Sequence, residues 1–186
     1  MTINHPKHVA IIMDGNRRWA KINNYSLLKA YEKGLETLQD TIHNCIKLKI
    51  YYLTVFGFST ENWGRSKTEV NYLFKLFEWF LKGDFAELVT QNIKFSVIGD
   101  LTPFNQKLKE MIFHAEKITH DNTGLKLNIA LNYGGKDDIL CSMKLIANRC
   151  INYNLNPDKL SYDDIKENLI SKNVNDLDLL IRTSGE

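Results

Sequence analysis

The sequence predicts an α/β protein, a single domain in which helices cover both faces of a mostly parallel central sheet of about six strands. Short, β-branched apolar runs alternate along the chain with longer segments whose apolar residues recur at helical spacing. Several of the apolar runs stop at polar, arginine-bearing segments, as buried strands do at the edge of a sheet. A length of 186 residues with 44% hydrophobic content is enough for one domain with a sizeable core.

The expected strands are short and nearly all apolar, which is typical of strands buried on both faces. They cover residues 9–13, 51–58, 93–98, 125–132 and 178–181. The expected helices cover residues 35–46, 69–81, 104–118, 139–147 and 161–169, with Pro103 at the start of the third. The second of these helices is apolar over most of its circumference, because Tyr72, Leu76 and Trp79 extend its apolar stripe. Such a helix is either deeply buried or in contact with a second apolar environment.

The first expected strand ends at the segment Asp14-Gly15-Asn16-Arg17-Arg18-Trp19. Gly15 allows the backbone to approach a ligand closely, and the amide and guanidinium groups that follow are donors suited to phosphate oxygens. The Asp14 carboxylate is suited to a hard divalent cation that bridges to those phosphates. The alternative is a surface turn with scattered charge. An acid and two arginines at the end of a buried strand favour the ligand site.

Two further strands end in similar loops. The second strand runs into Ser59-Thr60-Glu61-Asn62-Trp63-Gly64-Arg65, whose hydroxyl, amide and guanidinium groups suit an oxyanion. Trp63 is equally well explained as a core residue, and Asn62 as a helix cap. The last strand runs into Arg182. Because ligands of open α/β sheets bind at the carboxyl ends of the strands, we expect the three loops to form one composite site.

Composition argues against several classes of protein. The formal net charge of +2 is small and the lysines are dispersed, so no nucleic-acid partner is expected. No run approaches the ~18 apolar residues of a membrane span, and residues 1–7 lack the apolar centre of a secretion signal. The three cysteines and five histidines show no metal-ligand spacing. A cytoplasmic location is therefore expected.

Four blocks of sequence resemble the signatures of the cis-prenyltransferases, the family of undecaprenyl diphosphate synthase. The blocks are HVAIIMDGNRRWA at residues 8–20, FSTENWGR at 58–65, NYGG at 132–135 and IRTSGE at 181–186. They occur in the family's order, and the resemblance implies a single catalytic domain over residues 1–186. The family continues beyond the last block, so the resemblance also implies that this sequence is truncated at its C-terminus.

The resemblance implies an enzyme that uses Mg²⁺ to condense isopentenyl diphosphate onto an allylic diphosphate such as farnesyl diphosphate. The implied product is a long-chain polyprenyl diphosphate such as undecaprenyl diphosphate, the lipid carrier precursor for cell-wall glycan synthesis. Asp14 is implied as the metal-binding catalytic residue, and Asn62 as a catalytic residue that positions the departing proton. The implied substrate-binding residues are Gly15, Asn16, Arg17, Arg18, Trp19, Tyr31, Ser59, Thr60, Glu61, Trp63, Arg65 and Arg182. A homodimer is also implied, with a peripheral membrane contact for product release.

The family holds the growing prenyl chain in a hydrophobic tunnel, whose implied walls are the apolar helix over residues 69–81 and neighbouring strands. The implied tunnel residues are Gly57, Leu73, Leu76, Phe77, Ile93, Phe95 and Leu125, with Leu125 at the closed end. Burying about five carbons per isoprene unit at ~0.8 kcal/mol each gives roughly 4 kcal/mol per unit. Two alternatives stay open: the helix forms plain core with a dimer contact, and Leu125 is an ordinary core residue.

Three places depart from the family pattern. Arg17 replaces a glycine, and Leu27 and the Ala30-Tyr31 pair replace an arginine and a Gly-His pair that grip the allylic diphosphate. Tyr31 donates one hydrogen bond but carries no charge at neutral pH. Two rival functions therefore stay open: a catalytically silent subunit that supports an active partner, and a phosphate-binding module unrelated to prenyl transfer.

Overall fold

A parallel sheet of five strands organises the part of the chain that the computed structural model describes, residues 5–153 and 155–185 without the side chains of residues 84 and 85. The strands are β1 (His8–Ile12), β2 (Tyr52–Ser59), β3 (Lys94–Ile98), β4 (Lys126–Tyr133) and β5 (Leu179–Arg182). Their order across the sheet is β3-β4-β2-β1-β5, and all neighbours are parallel. The predicted α/β class is confirmed, with five strands in these residues where about six were expected.

Six α-helices accompany the sheet in the described residues. They are α1 (Asn16–Ile22), α2 (Leu27–Lys47), α3 (Lys67–Thr90), α4 (Gln106–Ile118), α5 (Gly135–Tyr153) and α6 (Tyr162–Asn168). Short 3₁₀ turns cover Thr60–Gly64 and Pro157–Lys159. No helix in the described part of the chain is long and apolar enough to cross a membrane.

Side-chain caps determine where the long helices begin. The hydroxyls of Ser26 and Ser66 accept hydrogen bonds from the third backbone amides of α2 and α3, and the Asn105 carbonyl does the same for α4. Helix α4 therefore begins at Gln106 rather than directly at Pro103. Helix α1 lies where a loop was expected, because it is short and buries only Ala20, so its sequence carries no apolar stripe.

Alternation along the strands directs one set of apolar side chains into the main core. The parallel register places Val9 beside Leu53 and Leu53 beside Leu127, and these three side chains belong to the core formed with α2, α3 and α4. The register of β2 shifts between Phe56 and Phe58, so that Gly57 lies at an irregularity in the strand.

The carboxyl ends of β1, β2 and β5 meet at one edge of the sheet. Ile12, near the end of β1, is paired with Phe56 on one side and with Arg182 on the other. The loops that follow these strands therefore start from adjacent positions, as predicted from the three arginine-bearing segments. Strand β1 lies between β2 and β5, so the strands that follow it in sequence are added to the sheet on both of its sides.

Candidate active site

A cavity of about 630 Å³ lies at this edge of the sheet, with polar residues from the loops and apolar residues from α2, α3 and the strands. The structure brings together most of the predicted substrate-binding and catalytic residues in its lining. They are Asp14, Gly15, Asn16, Arg17, Arg18, Tyr31, Ser59, Thr60, Glu61, Asn62, Arg65 and Arg182. Tyr133, Gly134 and Gly135, from the third sequence block, lie in the same lining.

The two predicted tryptophans do not line the cavity. Trp19 stacks on Tyr25, with ring centroids 5.5 Å apart, and is 38% exposed. Trp63 donates a hydrogen bond from Nε1 to Asn132 Oδ1 at 2.8 Å and packs edge-on against Phe58. The 3₁₀ turn thus directs the Trp63 side chain into packing contacts. Trp63 is 41% exposed, so it is not the core residue that was one alternative, and its contacts instead hold the loop in shape.

Asp14 is held by two arginines and one backbone amide. Arg182 donates from Nη2 to Asp14 Oδ2 at 3.0 Å, and Arg18 approaches Oδ1 at 3.4 Å. The Gly15 amide donates to Oδ1 at 2.6 Å. The hydrogen bond from Arg182, followed by that from Gly15, keeps the pKa of Asp14 below its usual value. The carboxylate is therefore ionised throughout the neutral range and is about one-third exposed.

Hydrogen bonds between the Thr183 side chain and the Asp14 backbone join the loop after β1 to the loop after β5. The Thr183 hydroxyl donates to the Asp14 carbonyl at 2.6 Å, and its oxygen accepts a hydrogen bond from the Asp14 amide at 2.9 Å. Gly15 has a φ of +99°, and a Cβ there would lie 2.8 Å from the Ser184 Cβ. Only glycine fits this left-handed position against the last loop. Glu186, the end of the fourth sequence block, lies outside the described residues.

Glu69 is a site residue that the sequence analysis missed. Its buried carboxylate accepts hydrogen bonds from Arg17 Nη2 at 2.5 Å, Tyr31 Oη at 2.6 Å and Arg65 Nη1 at 3.3 Å. Arg65 Nη1 also donates to the Tyr31 hydroxyl at 2.9 Å. Burial, reinforced by the hydrogen bond to Glu69, raises the pKa of Tyr31 to about 12. Tyr31 is therefore a neutral phenol at the position where the family has histidine.

The other departures from the family pattern lie beside this cluster. Leu27 is the first residue of α2 and does not belong to the cavity lining, while Ala30 is buried one turn further on. Neither can take over a contact with a phosphate. Arg17, in place of a glycine, brings an additional guanidinium to the lining, and its side chain is 62% exposed although it is paired with Glu69.

Asn62 has a structural contact in addition to its place in the cavity. Its side-chain oxygen accepts a hydrogen bond from the Ser59 amide at 3.0 Å, and the Ser59 hydroxyl accepts one from the Asn62 backbone. This reciprocal cap holds the 3₁₀ turn that carries the second loop. Thr60 donates from Oγ1 to Asp137 Oδ2 at 2.7 Å, which ties the turn to the start of α5. The expectation that Asn62 is a cap agrees with these contacts.

The donor set limits how a divalent cation could bind. In the described residues, no group of three or more acidic, histidine or cysteine side chains could hold a metal ion. Asp14 contributes a single ionised carboxylate at the mouth of the cavity. Mg²⁺ is commonly held by one or two carboxylates together with substrate phosphates. The residues therefore fit Mg²⁺ that arrives with a diphosphate, and they do not form a complete metal site by themselves.

The interior of the cavity is apolar. Four of the predicted tunnel residues line it, namely Gly57, Leu73, Leu76 and Phe77, together with Leu35, Leu38, Val55, Phe74, Phe80, Ile129 and Leu131. Helix α3 therefore turns part of its apolar circumference toward this space. Trp79, on another side of the helix, is 60% exposed, and the Tyr72 hydroxyl donates to Glu32 at 3.0 Å.

The remaining predicted tunnel residues, Ile93, Phe95 and Leu125, are buried in the core and do not line this cavity. Their position along the sheet explains the difference. Ile93 and Leu125 precede β3 and β4, and Phe95 is the second residue of β3, so all three lie toward the amino ends of the strands. The cavity reaches β4 only at Ile129 and beyond, toward the carboxyl ends.

Comparisons with known proteins agree with this geometry. The sequence profile of the family described as "Putative undecaprenyl diphosphate synthase" matches residues 12–186. The ditrans,polycis-undecaprenyl-diphosphate synthase of Micrococcus luteus, (2E,6E)-farnesyl-diphosphate specific, is 42% identical over 97% of this chain and 73% of its own length. An isoprenyl transferase of Clostridium tetani is 40% identical over 98% of this chain and 72% of its own.

A solved structure extends the likeness to three dimensions. Lavandulyl diphosphate synthase from Lavandula x intermedia, crystallised with dimethylallyl diphosphate, superposes with a TM-score of 0.91. The two proteins are 36% identical, over 97% of this chain and 78% of the other. With the profile match, the curated relatives and this superposition in agreement, the chain belongs to the undecaprenyl diphosphate synthase family of prenyl-transferring enzymes.

Proposed function

We propose that the protein is a cis-prenyltransferase that condenses isopentenyl diphosphate onto an allylic diphosphate. The observation that carries the proposal is the division of the cavity, which is lined by charged and polar groups from the loops and by apolar side chains from the helices. An allylic diphosphate has the same division, because its charged diphosphate is joined to a hydrocarbon chain. A site for a phosphate ester without such a chain would not need the apolar interior.

The first loop binds the allylic diphosphate in this proposal. Gly15 brings the backbone close to the phosphates, and Asn16 and Arg18 donate hydrogen bonds to them. The contact between Arg18 and Asp14 is long, at 3.4 Å, and the Arg18 side chain is 55% exposed, so it can turn to a phosphate. Arg17 adds positive charge beside them while Glu69 fixes its position. The dimethylallyl diphosphate in the crystallised relative supports this class of substrate.

Arg182 and the second loop bind isopentenyl diphosphate. Arg182 ends β5, whereas Arg18 follows β1, so the two guanidinium groups approach the cavity from different strands. Ser59, Glu61 and Arg65 contribute polar contacts from the end of β2. Trp19, Trp63 and Thr60 act by shaping the loops, in line with their packing and capping contacts.

The reaction needs one bond broken, one formed and one proton removed. The allylic C–O bond breaks with its electron pair left on the diphosphate, and the double bond of isopentenyl diphosphate forms the new C–C bond. A proton then leaves the adjacent carbon, and a diphosphate oxygen accepts it. The neutral amide of Asn62 is a poor base, so its role is to position the groups between which this proton moves.

Asp14 holds Mg²⁺ in the proposal, since its lowered pKa keeps it ionised beside the phosphates. The ion, when bound with the substrate, would offset the negative charge that develops on the leaving diphosphate. Arg182 and Arg18, which pair with Asp14 here, are then available to the phosphates. The cis geometry of the product is supported by the names of the curated relatives.

The apolar interior holds the prenyl chain. Each added unit buries about five carbons, or roughly 4 kcal/mol at ~0.8 kcal/mol per carbon. Such a product dissociates slowly into water, which supports a cytoplasmic enzyme that transfers its product through a peripheral membrane contact. A homodimer is also part of the proposal, as the resemblance to the family implies.

The test is incubation of the full-length protein with Mg²⁺, farnesyl diphosphate and labelled isopentenyl diphosphate, followed by chromatographic sizing of the products. We expect a ladder of prenyl diphosphates that disappears when the metal is chelated. Replacing farnesyl diphosphate with shorter allylic diphosphates identifies the preferred primer. Sedimentation of the same sample gives the oligomeric state.

A protein that forms no labelled product but increases the output of an active relative would instead be the silent subunit. Leu27 and Ala30, which cannot contact a phosphate, are the observation that favours this second function. Asp14 and the four arginines that line the cavity favour the enzyme.

A further inference from the structure

A second, much smaller cavity lies next to the prenyl-chain cavity, between α2 and α3. Its volume is about 20 Å³, and Ile42, Leu88 and Ile93 form its apolar part. His43 and Glu87 stand at its polar part, where His43 Nε2 and Glu87 Oε1 are 2.7 Å apart and both side chains are about 40% exposed. We call this space the α2–α3 crevice.

Phe80 separates the two spaces. Among the described side chains, it is the one residue that lines both the main cavity and the α2–α3 crevice. It is 2% exposed and stacks on Phe77, with ring centroids 6.2 Å apart and an interplanar angle of 17°. The Phe80 ring is therefore buried between the two spaces and supported by a second aromatic ring of the same helix.

We infer that Phe80 is the end wall of the prenyl-chain cavity and sets the length at which chain growth stops. The inference rests on the proposed function, because it assigns the limit of the same substrate site. A growing chain cannot displace an aromatic side chain packed at the density of a protein interior without shifting its neighbours. Leu125, which resembles the family's closing residue, lies in the core outside both spaces.

The Phe80 ring borders both spaces, the main cavity of about 630 Å³ and the α2–α3 crevice of about 20 Å³. Removal of the Phe80 ring would join the cavity to the α2–α3 crevice, whose buried side chains Ile42, Leu88 and Ile93 then become the next walls.

The experiment compares product ladders of the full-length enzyme and its variants under identical substrate ratios. Phe80→Ala opens the partition, and Phe80→Leu opens it partly while keeping an apolar side chain in case the alanine variant does not fold. We expect both ladders to extend by one or more isoprene units, with the larger shift for alanine. Phe95→Ala is the matched control, because Phe95 is an equally buried phenylalanine that lines neither space.

A second pair of variants tests the route past the partition. Ile93 lines the α2–α3 crevice but not the main cavity, so Ile93→Phe should leave the wild-type ladder unchanged. In the Phe80→Ala background the same change should shorten the extended ladder again. This dependence on background would not arise from a general loosening of the core.

Unshifted ladders from folded Phe80→Leu and Phe80→Ala enzymes would overturn the inference, as would an equal extension by Phe95→Ala. An extension of the ladder by Leu125→Ala, but by neither Phe80 variant, would show that Leu125 and not Phe80 is the end wall. All of these outcomes require a wild-type ladder. Its absence, with folded protein, would overturn the proposed function itself, so the two failures are distinguishable.

Discussion

Asp14 and Glu69 each hold two of the arginines that line the cavity, but they hold them differently. Asp14 is about one-third exposed, and its contacts with Arg182 and Arg18 are 3.0 and 3.4 Å long. Glu69 is only 8% exposed in its side chain and accepts a 2.5 Å contact from Arg17, with further hydrogen bonds from Arg65 and Tyr31. Asp14 and its two arginines therefore form a largely exposed group of charges, whereas Glu69 and its partners form an enclosed cluster.

The difference shows that the polar part of one cavity can contain both ion pairs that exchange partners and ion pairs that stay fixed. An exposed ion pair is worth about 1 kcal/mol or less, so a diphosphate can replace Asp14 as the partner of its arginines at small cost. A buried carboxylate must keep its hydrogen bonds, because an unpaired buried charge is strongly destabilising. Asp14 is therefore suited to exchange partners during a reaction, and Glu69 to fix the guanidinium groups around it.

The largest effect should come from Asp14→Asn, which keeps the shape of the side chain and removes its charge. Turnover should fall by roughly two to three orders of magnitude, the cost typical of losing one electrostatic element of a transition state. Steady-state assays over a range of Mg²⁺ concentrations measure it, with Asp121→Asn, a fully exposed acid, as the control. A variant that retained most of its rate at saturating Mg²⁺ would exclude Asp14 as the metal residue.

Arg182→Ala should have the next largest effect and separates the two substrates. Loss of one charge-assisted contact to phosphate costs about 1.5–3 kcal/mol, roughly ten- to hundredfold in affinity. We expect this loss mainly for isopentenyl diphosphate, and the opposite preference for Arg18→Ala. Separate KM values for both substrates in both variants test the division. Equal losses of affinity for the two substrates in each variant would show that Arg182 and Arg18 do not each bind a different diphosphate.

Glu69→Gln should act on stability more than on the chemical step. The amide can still accept from Tyr31 but leaves two guanidinium groups without a carboxylate, at a cost of about 1–3 kcal/mol of unfolding free energy. Urea denaturation measures this loss, and kcat should change only severalfold. Glu36→Gln, which removes an exposed partner of Lys33, is the matched control and should cost less than about 0.5 kcal/mol. A collapse of kcat with unchanged stability would give Glu69 a catalytic part.

Tyr31→Phe should have the smallest effect and a characteristic pH dependence. The folded-state pKa of about 12 lies above the ordinary value of 10.0, so the phenol contributes stability that is complete below pH 10 and is lost as pH rises toward 12. The variant should therefore be less stable by about 1 kcal/mol at neutral pH, with no change from about pH 6 to 9. The difference should shrink above pH 10. A difference that already declines near pH 8 would contradict the raised pKa.

The features that the sequence predicted well are those with local signals. Apolar runs that end at Asp14, at Ser59 and at Arg182 locate the ends of β1, β2 and β5, and parallel pairing then brings those ends together. The apolar circumference of α3 indicated a second apolar environment, and Leu73, Leu76 and Phe77 line one. These inferences need only the spacing at which apolar residues recur along a strand or a helix.

The features that the sequence analysis missed depend on how distant elements pack. Glu69 lies 38 residues from Tyr31 and 52 from Arg17, and its cluster exists only because α2 and α3 meet. The extent of the cavity along the sheet was not predictable either: Leu125 directly precedes β4 and does not line the cavity. No local pattern indicates how far along a strand a cavity extends. Phe80 lies one turn beyond Phe77, and nothing in the sequence distinguishes it from the other apolar residues of the helix.

The link between Asp14 and the last strand has a consequence for folding. Arg182 is 168 residues from the carboxylate it pairs with, and Thr183 is 169 residues from it. Contacts of such long sequence separation close large loops and tend to form late. During synthesis, β1 to β4 can pair before β5 has left the ribosome, whereas the first loop then lacks Arg182 and Thr183. The contacts of Asp14 with Arg182 and Thr183 therefore form only after β5 has joined the sheet, and we expect diphosphate binding to wait for that step.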